Sequence, residues 1–194
     1  MDHLMQRRPL LALVASLLLL GGYAAAASVI IKPEVGRMYR AYFIDHRVDG
    51  WHTSAYEVPE SEGIDFTRQG RPLWIRSMIG LSVPDANGTW TDARLANGAA
   101  IRYRVPFEGQ VCVQLQAAPS PDNVGGVSYL QMGTESQAFR TPTAGMSSHA
   151  FQFQLTQPSE VVRIYPGVTE RKSARDRRLI GLLLRRLVVT PGVC

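Results

Sequence analysis

The sequence predicts an all-β protein, an antiparallel β-sandwich of jelly-roll type, preceded by an N-terminal signal peptide or membrane-anchor helix. Apolar and polar residues alternate in several short segments, and turn-forming residues separate these segments. Strict alternation places one face of a strand in the core and the other in solvent, which is typical of antiparallel sheets. The N-terminal prediction rests on a long uncharged and apolar stretch at the start of the chain.

The N-terminus has the anatomy of a bacterial export signal. Arg7 and Arg8 form a short basic start, and no charged side chain occurs between Arg8 and Lys32. The apolar core that follows Arg8 leads to the small residues 24–27, which fit the rule for signal-peptide cleavage. This pattern predicts a signal peptide over residues 1–27 and an exported protein in an oxidising compartment.

A retained membrane anchor is the alternative interpretation of this stretch. The apolar sequence continues to Ile31, and residues 9–31 would form a helix of roughly 34 Å, enough to cross a bilayer core of about 30 Å. The two arginines hold the N-terminus in the cytoplasm in either case. The remainder, residues 32–194, is predicted to be one periplasmic domain, either free or anchored in the inner membrane.

The composition narrows the range of partners. The chain of 194 residues has 21 Lys and Arg against 16 Asp and Glu, a formal net charge of +5. Outside the cytoplasm, this mild basic excess favours acidic polysaccharide or anionic phospholipid over nucleic acid. The two cysteines, Cys112 and Cys194, either form a disulfide in the oxidising compartment or remain a half-buried thiol and a frayed terminal one.

The strand predictions follow the alternation along the chain. Turn chemistry at residues 84–88, 97–98, 119–123 and 125–126 separates the candidate strands. The run at residues 177–189 is predicted to be a last strand because it ends in β-branched residues, with a basic amphipathic helix as the alternative. The other candidate strands are residues 37–44, 101–105, 111–116, 127–132, 151–155 and 161–165.

Four ordered segments carry a resemblance to a known module. They are GIDFTRQGRP at residues 63–72, IGLSVPD at 79–85, GTWTD at 88–92 and DRRLIGLLLRRL at 176–187. This order resembles the β-sandwich module at the C-termini of periplasmic phosphoglycerol transferases and membrane glycosyltransferases. The similarity spans roughly residues 62–189.

The resemblance implies a carbohydrate-binding jelly roll without an accompanying catalytic domain. It therefore implies a non-catalytic accessory protein of cell-envelope or exopolysaccharide assembly, which binds glycan or docks on a glycan-assembly membrane protein. The sequence departs from the module at its tryptophan-glycine-arginine-tryptophan core, of which only Trp90 is kept. The customary acidic residue of the adjoining loop is represented by Asp85.

The candidate glycan contacts are aromatic and acidic residues. Flat aromatic faces pack against the apolar side of a pyranose ring, while carboxylates bind its hydroxyl groups. Trp51 is expected in a surface loop because it follows a glycine, and Trp90 is expected beside a turn, with a core position as the alternative. The predicted ligand-binding residues are Trp90, Asp92, Asp85, Asp65 and Trp51.

A basic run near the C-terminus is the second candidate surface. It suits an anionic glycan or a lipid headgroup, and the alternative is a solvated strand edge whose charges discourage edge-to-edge pairing. The run consists of Arg171, Lys172, Arg175, Arg177 and Arg178.

The sequence does not predict an enzyme. It has no nucleophile elbow, zinc-protease helix motif or phosphate-binding loop. Asp65, Asp92 and Asp85 are the only candidates for a pair of glycosidase carboxylates, so a polysaccharide hydrolase is a distant alternative. The acidic and histidine residues at 45–52 match no metal-ligand spacing, and neither a metal nor a cofactor is predicted. A purely structural interaction subunit of a membrane complex is the nearer alternative.

Overall fold

The computed structural model describes residues 13, 15–25, 36–46, 48, 51 and 54–194. The chain divides into two units, residues 1–37 and residues 38–194. In the first unit, residues 15–25 are helical, and the predicted cleavage positions at residues 26 and 27 lie outside the described residues. Within the described part of the chain, no helix is both long and apolar enough to cross a membrane.

The described part of the second unit is built mainly from strands, which we number in chain order. Two 3-10 turns, Glu60–Glu62 and Pro121–Asn123, accompany the strands, and an α-helix, Arg37–Phe43, begins at the last residue of the first unit. The strands are β1 (Ala55–Tyr56), β2 (Ile64–Asp65), β3 (Arg71–Pro72), β4 (Ile75–Ile79), β5 (Thr89–Asp92), β6 (Ala99–Pro119), β7 (Val127–Met132), β8 (Glu135–Arg140), β9 (Ser147–Tyr165), β10 (Glu170–Arg171) and β11 (Leu179–Pro191).

Nine of these strands form one sheet in which every pairing is antiparallel. Its main path runs β10-β11-β6-β9-β7-β8, with β2 and β5 added to β11 and β4 added to β6. The short strands β1 and β3 form a separate parallel pair. The predicted all-β, antiparallel fold class is therefore confirmed.

Two long strands bring both halves of the sheet around one core. The sequence predicts separate strands at residues 101–105 and 111–116, whereas β6 continues through Pro106 and Gly109 and joins them. The register of β6 against β9 shifts between Arg102 and Gly109, and such shifts let a strand bend without ending. Odd-numbered residues of β6 face the core on both sides of the register shift, so both halves of the strand contribute side chains to one core.

Strand β9 has the same construction. It joins the predicted strands at residues 151–155 and 161–165 through Pro158. Its first half pairs with the second half of β6, and its second half pairs with the first half of β6 and with β7. The turn residues inside these two strands therefore coincide with register shifts and not with strand ends.

Trp51 lies in the core and not in the surface loop that the sequence predicts. This side chain is only 1% exposed, and its ring lies 6.5 Å from the ring of Phe66 in an edge-on contact. Its indole Nε1 donates a hydrogen bond to the backbone oxygen of Ser82 at 2.9 Å. The expectation of a surface-loop tryptophan that contacts glycan is therefore wrong, because burial satisfies both the apolar ring and its polar N–H group.

The predicted first strand is also wrong, since residues 37–43 form an α-helix. The helical spacing brings Tyr39 and Phe43, four residues apart, to a ring-centroid distance of 4.6 Å. It also buries Ala41, which is 6% exposed. In a strand, those two aromatic side chains would be too far apart to contact each other.

The C-terminal run is the predicted strand, and its helical alternative is wrong. Strand β11 pairs with β6 from Leu182 to Pro191. Beyond it, Cys194 forms a disulfide with Cys112 of β6, with a Cα–Cα distance of 5.0 Å. The bridge attaches the last residue of the chain to a central strand.

Candidate functional site

Four strands place polar side chains in one row across the outer face of the sheet. Arg186 of β11 pairs with Asp65 of β2 on one side and with Gln116 of β6 on the other, and Gln116 pairs with Ser148 of β9. The next residue of β11, Leu187, is fully buried. Because side chains alternate between the faces of a strand, the row points away from the core.

This row lies where two cavities adjoin, with volumes of about 350 Å³ and 470 Å³. Both volumes lie within the range of ligand sites, roughly 300–1,000 Å³. Gln116 and Arg186 line both cavities. We call the combined surface the polar groove, which is lined by Tyr56, Val58, Ser61, Glu62, Gly63, Asp65, Arg68, Gln114, Leu115, Gln116, Ser148, His149, Ala150, Arg185, Arg186, Val188 and Thr190.

Two arginines of the groove are held by neutral backbone oxygens. Arg186 donates from Nε and Nη2 to the backbone oxygen of Glu62, at 3.0 Å and 2.7 Å. Arg185 donates from Nη1 to the backbone oxygen of Ala86 at 2.8 Å. A guanidinium has five N–H donors, so both side chains keep free donors while their orientation is fixed. No described carboxylate lies within ion-pair distance of either arginine.

The other end of the groove combines an aromatic ring with a cation and a carboxylate. The guanidinium carbon of Arg68 lies 4.2 Å from the ring centroid of Tyr56, a cation–π contact. Burial raises the pKa of the Tyr56 hydroxyl, while the charge of Arg68 acts in the opposite direction. Asp65 accepts hydrogen bonds at Oδ1 from the backbone N and the side-chain Oγ1 of Thr67, at 2.9 Å and 2.7 Å.

The chemistry of the groove is that of hydrogen bonding to a polar ligand. Arg185 and Arg186 supply donors, Asp65 supplies an acceptor at Oδ2, and the Gln116 amide supplies both. His149, at the far end, shares a hydrogen bond of 2.8 Å between its Nε2 and Ser147 Oγ. Burial lowers the pKa of His149, which favours the neutral form of its ring.

Asp92 lies outside this groove and is fully buried. Tyr42 Oη donates to Asp92 Oδ2 at 2.5 Å, and the backbone N–H groups of Arg94 and Leu179 donate to Oδ1 at 3.1 Å and 3.2 Å. A buried carboxylate with these three donors is a structural group. The predicted role of Asp92 as a glycan contact is therefore wrong, since a ligand has no access to it.

Trp90 is half-exposed and faces the same side of the sheet as the groove, because the threonines on either side of it are buried. It pairs with Leu183, three residues before Arg186 on β11, and it does not line either cavity. Lys172 Nζ lies 5.9 Å from its ring centroid. Asp85 is exposed in a tight turn, where its Oδ1 accepts a hydrogen bond from the backbone N of Asn87 at 2.8 Å.

The predicted basic run forms the turn between β10 and β11. Arg178 donates from Nε to both carboxylate oxygens of Asp176, at 3.0 Å and 2.9 Å, and these bonds lower the pKa of Asp176. Arg171, Arg175 and Arg177 are exposed. The structure thus separates the basic run from the polar groove, which has its own arginines.

The loop of acidic and histidine residues at 45–52 is described only in part. His46 Nδ1 lies 2.7 Å from the backbone oxygen of Arg94. Arg47, Asp49 and His52 lie outside the described residues. Over the ranges that the structure describes, no three His, Cys, Asp or Glu side chains are grouped closely enough to hold a metal ion.

Sequence reasoning located Asp65 but missed the residues that surround it. Gln116 occupies an outward position in the predicted strand at residues 111–116, and Arg185 and Arg186 lie in the predicted last strand at residues 177–189. Their meeting with Asp65 depends on strand register between segments more than 50 residues apart. Alternation gives the face on which a side chain lies, but it does not give the neighbouring strand.

The fold and the groove define an all-β sandwich protein with a preformed polar surface site. The chain belongs to the family described as "Domain of unknown function (DUF7024)", whose model matches residues 53–191. The match covers strands β1 to β11 and the whole lining of the polar groove. No curated protein matches this chain.

Proposed function

We propose that this protein is an exported, non-catalytic accessory protein of cell-envelope or exopolysaccharide assembly, and that its polar groove binds glycan. The observation that carries the proposal is the row formed by Asp65, Arg186, Gln116 and Ser148 across four strands. Sugar hydroxyls both donate and accept hydrogen bonds, and this row offers carboxylate, guanidinium, amide and hydroxyl groups side by side.

The arrangement of the arginines supports a glycan ligand. Arg185 and Arg186 are oriented by backbone oxygens, so little conformational entropy is lost when their remaining donors bind a ligand. Three arginines and the two carboxylates of Glu62 and Asp65 line one cavity, which leaves one positive charge in excess. This balance suits neutral saccharides and also tolerates acidic ones.

The N-terminal sequence and the resemblance supply the cellular context of the proposal. The export signal or anchor predicts a periplasmic domain, free or tethered to the inner membrane. The resemblance to the C-terminal module of periplasmic phosphoglycerol transferases and membrane glycosyltransferases suggests the pathway. A glycan-assembly membrane protein is the expected partner.

Calorimetric titration of the full-length protein with a saccharide panel tests the proposal. Gln116→Ala is the informative variant because the Gln116 side chain makes no hydrogen bond with any described residue. It is expected to leave the fold intact and to weaken saccharide binding about five-fold, which corresponds to one hydrogen bond of about 1 kcal/mol. The matched control is Gln110→Ala, which lies on the same face of β6 but outside both cavities.

A pull-down from membranes separates the glycan-binding role from a docking role. Saccharide recovered with the wild type and lost with a folded Gln116→Ala protein supports glycan binding in the groove. If no saccharide in the panel binds, and a membrane protein is recovered equally with both variants, the glycan proposal is wrong. The purely structural interaction subunit then takes its place.

A further inference from the structure

A third cavity, of about 340 Å³, lies at the bend of β6 and differs in character from the polar groove. We call it the aromatic pocket. Two carboxylates stand at an otherwise apolar and aromatic wall. Its lining consists of Glu60, Trp74, Tyr103, Val105, Pro106, Phe107, Glu108 and Pro191.

Tyr103 is the unusual residue of this pocket. Its side chain is 5% exposed, and its hydroxyl is buried without a hydrogen-bond partner among the described residues. Buried polar groups in folded proteins are almost always hydrogen-bonded, and an unpaired one is unfavourable for folding. Because Tyr103 also lines the cavity, a ligand group bound there is a candidate for the missing partner.

The rings around Tyr103 form a rigid cluster. Trp74 stacks on Tyr103 with a centroid distance of 5.7 Å, and Phe107 meets Tyr103 edge-on at 4.9 Å. The indole N–H of Trp74 donates to the backbone oxygen of Val58 at 2.9 Å, which fixes the ring. The cluster therefore presents apolar carbon surface at fixed positions, as the C–H face of a pyranose requires.

The aromatic pocket adjoins the polar groove at two points of the chain. The 3-10 turn Glu60–Glu62 places Glu60 in the aromatic pocket, and Ser61 and Glu62 in the groove. At the end of β11, Thr190 lines the groove and the next residue, Pro191, lines the aromatic pocket. The turn Glu60–Glu62 and the end of β11 thus contribute neighbouring residues to the linings of both cavities.

We propose that the aromatic pocket is a second saccharide subsite, so that the protein binds an extended glycan chain along the groove and the pocket together. One sugar stacks its apolar face on the aromatic cluster and bonds a hydroxyl to Tyr103, with Glu60 and Glu108 as further acceptors. Other units of the same chain lie along the row of Asp65 and Gln116. This inference rests on the proposed function and names its ligand class, a polymer or long oligosaccharide.

The test is a titration of full-length protein with cello-, malto- and chito-oligosaccharides and oligogalacturonides of two to eight units. Affinity is expected to rise with chain length in the series that binds. Tyr103→Phe is expected to weaken binding of the long members at least five-fold and to leave the disaccharide unchanged. Its stability is expected to equal or exceed that of the wild type, because it removes an unpaired buried hydroxyl.

Control variants separate the possible failures. Tyr129→Phe removes an exposed hydroxyl on β7 and is expected to change nothing. Glu108→Gln, at an exposed position, is expected to weaken binding of long oligosaccharides if Tyr103→Phe does not fold. Affinity that is independent of chain length, or unchanged in both pocket variants while Gln116→Ala weakens binding, overturns this inference alone. Absence of binding by every saccharide overturns the proposed function as well.

Discussion

Substitution of the buried residue Asp92 tests whether its carboxylate stabilises the fold or binds a ligand. Asp92→Ala removes the acceptor of three hydrogen bonds, from Tyr42 Oη and from the backbone N–H groups of Arg94 and Leu179. Each lost bond is expected to cost about 1 kcal/mol or slightly more, because the acceptor in all three is the same carboxylate. We therefore expect the free energy of unfolding to fall by about 3 kcal/mol, and the melting temperature by about 6–12 °C.

Urea unfolding followed by circular dichroism measures this loss, and Asp85→Ala is the matched control. Asp85 also accepts a backbone hydrogen bond, from Asn87, but it does so in an exposed turn, so the expected cost is below about 1 kcal/mol. A double-mutant cycle of Asp92→Ala with Tyr42→Phe should give a coupling energy of about 1 kcal/mol. An Asp92→Ala protein as stable as the Asp85→Ala protein would refute the structural role.

Three further predictions concern the fold. Gly80→Ala should destabilise the protein by at least about 3 kcal/mol, because its new Cβ would collide with a backbone carbonyl oxygen and Gly80 has a φ of +72°. The control Gly109→Ala, at a φ of +66° in open space, should cost about 1 kcal/mol. Equal losses of stability in urea unfolding would contradict this reasoning. Replacing Cys112 and Cys194 by serine opens a loop of 82 residues and should lower the free energy of unfolding by about 4 kcal/mol. Reduction of the wild type should have the same effect. A melting temperature that is insensitive to reductant would argue against a stabilising bridge. Burial and the Asp92 contact raise the pKa of Tyr42 above its ordinary value of about 10. The unfolded state therefore loses this proton first, and the free energy of unfolding should fall above about pH 10. Tyr42→Phe should show a shallower decline, and identical curves of stability against alkaline pH would count against the contact.

The fold class was accessible from local patterns because alternation is a local consequence of having one buried and one wet face. Residues 151–155 alternate strictly, and they lie in β9 with their odd-numbered members buried. The turn at residues 84–88 forms as predicted, with reciprocal backbone hydrogen bonds between Asp85 and Gly88. The end of β11 follows from its β-branched residues. Each of these features depends on neighbours within a few residues.

The local patterns failed where distant contacts override them. Pro106 and Gly109 are strong turn signals, yet they lie inside β6, because pairing with β9 resumes at Phe107 and continues from Gly109 onward. Trp51 follows a glycine but lies in the core, where its ring packs against Phe66 and its indole N–H donates to the backbone oxygen of Ser82. No short window of sequence contains these partners.

The sequence by itself determined the antiparallel β class, the outward direction of Gln116 on its strand, and the apolar character of the N-terminus. Only the tertiary structure decided that Gln116 and Arg186 lie beside Asp65 in one row, that Asp92 is buried under Tyr42, and that the hydroxyl of Tyr103 is buried without a partner among the described residues. The physical reason is that burial and alternation are properties of one strand. Strand register and the cross-strand neighbours of a side chain are fixed only when strands far apart in the chain pair with one another.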